Sequence, residues 1–349
     1  MLRYSLLTST ALVVGALLST GVADDAKPMP GPRPVAGNLD NPSGVVIDPA
    51  TGHYFVAEHR GVVRLFPQTD PAKKGLARKY EINKYPSDIY GKGPMYDIGP
   101  LGVALLNKDH LIVADGSRPD AQELVRIYKF GAEAPEKPAK EDSAAYTLGP
   151  IGPGDASEKG EGNFYGIAVT SDAIYVTCNG DDNKGWIARA VLTDGKPGKL
   201  EPFIATKSDV QTDAPCGITV NQKGDLVVGQ MGEIATPGDS LLLIYDAKTG
   251  KLKNQYKTGL SDITGVAYSP VTQKLYATDF SWSDTTKGGL FELVIKGEEC
   301  TARKVCDLDK PTSITFDAKG HAFVTTFGTA VEGDKLKPGK LVRIPKPAL

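Results

Sequence analysis

The sequence predicts an all-β chain folded as a six-bladed β-propeller, on three observations. One motif recurs six times along the chain. Glycine and proline make up about 18% of the 349 residues, against roughly 12% in average usage, so turns are frequent and long helices are excluded. The recurring segments are short, rich in β-branched residues and spaced 48 to 64 residues apart. That is the spacing of propeller blades and too long for leucine-rich or β-helix repeats.

The segment before the first repeat reads as an address. Arg3 precedes the apolar run ALVVGALL (11–18), and Gly21-Val22-Ala23 precede Asp24-Asp25, the layout of a secretory signal peptide. Residues 1–23 are expected to be removed near Ala23, leaving 24–349 as a single propeller domain, secreted or periplasmic. The run KPMPGPRP (27–34) reads as extended backbone.

The first repeat is NPSGVVIDPATGHYFVAE (41–58), followed by VVRLF from Val62. The second is GPLGVALLNKDHLIVAD (99–115), then LVRIY from Leu124. The third is NFYGIAVTSDAIYVTC (163–178), then WIARAVL from Trp186. The fourth is APCGITVNQKGDLVVGQ (214–230), then LLLIYD from Leu241. The fifth is DITGVAYSPVTQKLYATD (262–279), then LFELVI from Leu290. The sixth is KPTSITFDAKGHAFVTT (310–326), then LVRI from Leu341. The aligned anchors are Gly44, Gly102, Gly166, Gly217, Gly265 and Ser313. A fourth, outer strand follows in five copies, starting near Ala77, Ala144, Leu200, Leu252 and Ala302. The sixth copy runs out of chain, so the segment 34–38 is expected to supply its outer strand and close the ring.

Composition narrows the function. With 40 basic against 42 acidic residues the chain has no electrostatic footprint for nucleic acid. No stretch after the leader reaches 18 apolar residues, so no membrane span is expected. A P-loop, a G-x-G-x-x-G turn after a strand and a G-x-S-x-G elbow are all missing.

The repeats resemble the NHL and SMP-30 (gluconolactonase)-like superfamily of six-bladed propellers. The segment 40–66 looks like an NHL repeat, and SPVTQKLYATDF (269–280) resembles the SMP-30-like strand pair. The resemblance implies a divalent metal in the central channel, held partly by acidic or Asn residues just before the repeat glycine. Those positions here are Ser43, Leu101, Tyr165, Cys216, Thr264 and Thr312. Glu58-His59-Arg60-Gly61 also resembles the opening blade of soluble quinoprotein sugar dehydrogenases, whose catalytic His would fall near 96–100, where this chain reads YDIGP.

Turns between first and second strands are short. The loops on the opposite face are long, notably 86–99, 149–163, 231–239, 280–288 and 327–339, so the binding surface is expected there. The last residues of the second strands, Glu58, Asp115, Cys178, Gln230, Asp279 and Thr326, form a ring at that face. Glu58, Asp115 and Asp279 either converge on a divalent cation such as calcium or zinc, or each caps its own strand. His59, Arg118, Tyr165, Asn179 and Trp282 complete the expected ligand-binding set with Gln230. The loop NGDDN (179–183) reads as a polar turn or a weak cation loop, and Tyr80, Tyr85, Tyr90 and Tyr96 either bind or pack. His53, His110 and His321 fall on the short-turn face, which leaves no multi-His zinc site.

Four cysteines in an exported chain suggest disulfides. Cys178 and Cys216 end on the same face of adjacent blades and are expected to pair. Cys300 and Cys306 pair only if the chain folds back between them. The expected function is a monomeric, exported binding module that presents its long-loop face to a protein, glycan or small molecule. The alternative is a metal-dependent hydrolase or lyase of the SMP-30 type, using Glu58, Asp115 and Asp279 in the channel.

Overall fold

A computed structural model describes residues 31–349 apart from 71, 73, 74, 92, 93 and 181–183. The expected signal peptide and most of the loop 179–183 therefore lie outside the described residues. The described chain forms six antiparallel four-stranded sheets, one of which carries an added parallel strand. Its few helices include none long and apolar enough to cross a membrane.

Each repeat supplies the inner three strands of one blade. Blade 1 consists of Val45–Ile47, Tyr54–Glu58, Gly61–Pro67 and Leu76–Asn83, counted outward from the channel, with Ala139–Lys140 added in parallel at its outer edge. Blade 2 consists of Pro100–Asn107, His110–Asp115, Val125–Lys129 and Tyr146–Leu148. Blade 3 runs Ile167–Val169, Ala173–Cys178, Trp186–Thr193, Lys196–Ala205, and blade 4 runs Pro215–Val220, Leu226–Gln230, Leu241–Tyr245, Leu252–Lys257. Blade 5 is Ile263–Tyr268, Leu275–Asp279, Gly289–Lys296 and Glu299–Asp307. Blade 6 is Pro311–Phe316, Ala322–Thr326 and Gly339–Ile344, and its outer strand is Arg33–Leu39 from the start of the described chain, antiparallel to Gly339–Ile344.

The second strands are apolar along their length because both of their faces are buried. In blade 2, Leu111 and Val113 pack toward blade 1 while Ile112 and Ala114 pack toward blade 3, as the two-residue period of a strand requires. Six hydrophobic clusters result, one in each gap between neighbouring blades, including the gap from blade 6 back to blade 1.

The repeat glycines have a steric cause. A Cβ on Gly102 would lie 1.9 Å from the carbonyl oxygen of Tyr165, and one on Gly166 would lie 2.2 Å from that of Cys216. Each inner strand thus sits against the backbone of the next, closer than a side chain permits. Hydroxyls stitch the same circle: Thr264 Oγ1 donates to the Pro311 carbonyl at 2.8 Å, Thr312 Oγ1 to Pro42 at 2.7 Å and Ser43 Oγ to Pro100 at 3.0 Å.

Candidate functional site

The channel mouth on the long-loop face is an apolar cup. Its floor is the ring of residues that precede the repeat anchors: Ser43, Leu101, Tyr165, Cys216, Thr264 and Thr312 all line it. Tyr165 reaches across the channel and donates its hydroxyl to the Thr312 carbonyl at 2.6 Å. Burial raises the Tyr165 phenol well above its ordinary pKa, so it stays a neutral donor.

The wall is aromatic. The lead-in loop of blade 2 folds into a hairpin, Asp88–Tyr90 with Tyr96–Ile98. It brings Tyr90 and Tyr96 against Phe280, Trp282 and Phe327 of blades 5 and 6. Phe280 stacks on Trp282 at 4.6 Å, and Tyr96 meets Phe327 at 5.0 Å and Trp282 at 5.5 Å. The alternating hairpin residues Ile89 and Met95 face solvent. The cavity is about 70 Å³, several times the roughly 10–15 Å³ that one water needs. Trp282 Nε1 and Asn179 Oδ1, both on cup-lining residues, are buried with no hydrogen-bond partner.

The cup opens sideways into a polar annex of about 320 Å³, lined by Tyr90, Asp120, Asn163, Asn179, Lys207, Asp213, Met231 and Glu233 among others. Lys207 Nζ is paired with Asp213 at 2.5 Å.

Three of the residues expected from sequence, Tyr165, Asn179 and Trp282, line the cup. The others hold the scaffold. Glu58 accepts from the Asp40 amide at 3.1 Å and from Arg78 at 2.8 Å, and burial pushes its pKa up to about 7 against the Arg78 charge. Asp115 accepts from the amide and hydroxyl of Ser117 and is paired with Arg118, which also holds Glu141 at 2.7 Å. His59 contacts Ser87 Oγ at 2.6 Å through Nε2 and Asp40 through Nδ1. Gln230 donates to Thr206 Oγ1 and to the Thr212 carbonyl. Asp279 accepts from the amides of Ser261, Asp262 and Ser281. Asp262 Oδ2 in turn takes the Trp282 amide at 2.5 Å, so this pair of acids positions Trp282. Tyr85 packs inward, its hydroxyl 2.8 Å from that of Tyr128.

The reason is one of phase. In blades 3 to 6 the residue just past the second strand lines the cup, whereas in blades 1 and 2 that residue is His59 or Gly116 and does not. Asn179, Met231, Phe280 and Phe327 occupy that position and all line the cup. Phe327 was legible in sequence as the repeat equivalent of Phe280.

Of the two readings of Glu58, Asp115 and Asp279, the geometry matches capping: each is engaged within its own blade, and among the described residues no group of three or more His, Cys, Asp or Glu could hold a metal ion. One expectation is corrected. The Cys178–Cys216 disulfide is not formed, and all four cysteines are free. Cys178 turns into the core between blades 2 and 3, whereas Cys216 faces the cup. Cys300 and Cys306 lie in one continuous strand that never folds back.

Fold and site define a six-bladed propeller whose channel mouth is closed by aromatic rings. No family model and no curated protein sequence matches the chain. Among solved structures, a luciferin-regenerating enzyme shares the fold at a TM-score of 0.57 and 12% identity, covering 90% of this chain and 94% of that one. A soluble aldose sugar dehydrogenase from Escherichia coli gives 0.56 and 12%, covering 90% and 99%. A gluconolactonase from Xanthomonas campestris gives 0.53 and 13%, covering 90% and 89%. At these identities the likeness establishes architecture and leaves activity to the site.

The site does not fit the divalent metal that the SMP-30-like resemblance implies. A hard cation wants six or more oxygen ligands, several of them charged. The floor ring offers none charged, and the hydroxyls of Ser43, Tyr165, Thr264 and Thr312 already donate to backbone carbonyls.

Proposed function

We propose that this chain is an exported binding propeller that takes a small molecule in the aromatic cup, with the polar end of that molecule in the annex. The observation that carries the reading is the cup itself: an apolar cavity among aromatic rings, with Trp282 Nε1 and Asn179 Oδ1 left without partners. Ligand sites characteristically combine apolar walls with a few placed polar groups. Export is supported by the leader pattern, and a mature N-terminus near Asp24 in the exported fraction would test it.

Structural likeness to a gluconolactonase and a sugar dehydrogenase supports a second reading, an SMP-30-like hydrolase or lyase. One experiment separates the two. Glucono-1,5-lactone hydrolysis is followed with and without calcium, zinc or manganese, beside calorimetric titration with phenol. The binding reading expects saturable phenol binding, lost in Phe327→Ala, and lactone decay no faster than in buffer. Metal-dependent turnover would replace it with the enzyme reading.

A further inference from the structure

We propose that the cup selects a small organic cation, an ammonium centre carrying apolar substituents. This deepens the binding reading above and rests on it.

Six rings surround the cavity: Tyr90, Tyr96, Tyr165, Phe280, Trp282 and Phe327. The face of an aromatic ring carries negative potential and attracts a cation, by up to about fivefold in affinity at an exposed site and about thirtyfold where water is excluded. Among the described residues that line the cup, none is basic and none is acidic. Nothing there repels a cation, and nothing there coordinates a metal. A metal ion needs oxygen ligands, whereas an ammonium wrapped in methyl groups needs only π faces and a negative surround.

The surround is negative. Among the described residues that line the annex, Asp120, Asp213 and Glu233 are acidic and Lys207, paired with Asp213 at 2.5 Å, is basic. A cleft lined by one sign of charge with low-dielectric walls concentrates ions of the opposite sign. Size agrees as well. The cavity of about 70 Å³ has room for roughly five water-sized groups, the scale of a trimethylammonium head. The same ligand would carry an oxygen, because the Trp282 indole N–H is buried with no acceptor.

The test is calorimetric titration of the full chain with choline and with 3,3-dimethylbutan-1-ol, its uncharged isostere, beside phenol. Choline is expected to bind at least about tenfold more tightly than the isostere. Tyr96→Leu is expected to remove most of that preference. Glu233→Gln, at an exposed position that leaves the fold intact, is expected to weaken choline about twofold to threefold and to leave the isostere unchanged. Equal affinity for the two isosteres, or binding of phenol alone, overturns the cation proposal and leaves the binding reading standing. No binding of any of the three overturns both.

Discussion

The seam between blades 1 and 2 and the mouth over blades 4 to 6 both hold buried polar groups, and they use them differently. At the seam every charge has a counter-charge against it. Arg64, 1% exposed, lies 2.8 Å from Glu81, donates to the carbonyls of Gly131 and Ala132, and sits 4.7 Å from the centre of the Phe55 ring. Glu141 holds Arg118 and Arg126. At the mouth, Trp282 Nε1, Asn179 Oδ1 and Asp262 Oδ1 are buried with no partner. A buried polar atom without a partner costs free energy that a folded protein otherwise avoids. Arg64 Nη2 at the seam also lacks a hydrogen-bond partner but has the Glu81 charge against its guanidinium, whereas Trp282 and Asn179 border a cavity with room for a ligand.

The comparison can be broken most forcefully at Arg64. Arg64→Met leaves Glu81 buried and unpaired, so a loss of about 3–5 kcal/mol in denaturant unfolding is expected. Ligand titration of the surviving folded fraction should be unchanged. An effect on the cup as large as the effect on stability would mean that seam and mouth are one coupled network.

Gly102→Ala approaches the mouth from below. The new methyl would press on the Tyr165 carbonyl, 1.9 Å from an ideal Cβ, and a cost of about 1–3 kcal/mol is expected. Because Tyr165 is the floor of the cup, this change should also weaken phenol binding, unlike Arg64→Met.

Glu123 sharpens the boundary through pH. It is fully buried, accepts the Asn163 amide at 2.6 Å, and its Oε1 has no partner. Burial, with the charges of Asp115, Asp120 and Asp88, pushes its pKa from 4.5 to about 9. The folded state thus keeps a proton that the unfolded chain releases, and the parent loses stability as pH rises between those two values. Glu123→Gln removes the titration. Its stability relative to the parent should rise with pH by up to about 1.4 kcal/mol per unit across that window, and the difference should stop changing below pH 4. A pH-independent difference would show that the carboxyl is charged throughout.

The smallest effect is expected from reductant. With Cys178, Cys216, Cys300 and Cys306 all free, dithiothreitol should leave Tm unchanged. A fall in Tm would restore a disulfide.

Much of the architecture was legible without coordinates. Six copies of one motif determined six blades, because each copy carries three strands that cannot bury both faces alone and must stack on neighbours. Of the residues expected on the long-loop face from loop lengths, Tyr165, Asn179 and Trp282 line the cup and Glu58, Asp115 and Asp279 do not. Their chemistry suggested function, while their positions at the ends of strands gave them backbone amides or arginines as partners.

What the sequence by itself determined is periodic: blade number, strand order, the apolar second strands and the need for glycine at the channel wall. What only the tertiary structure decided is phase and closure. Side chains of a second strand alternate between its two neighbouring blades, so in blades 3 to 6 the mouth is reached by the residue just past the strand end. The hairpin that carries Tyr90 and Tyr96 comes from blade 2, and the rings it meets come from blades 5 and 6. Residues about two hundred apart in sequence share no local signal, and only the closed ring brings them together over one channel.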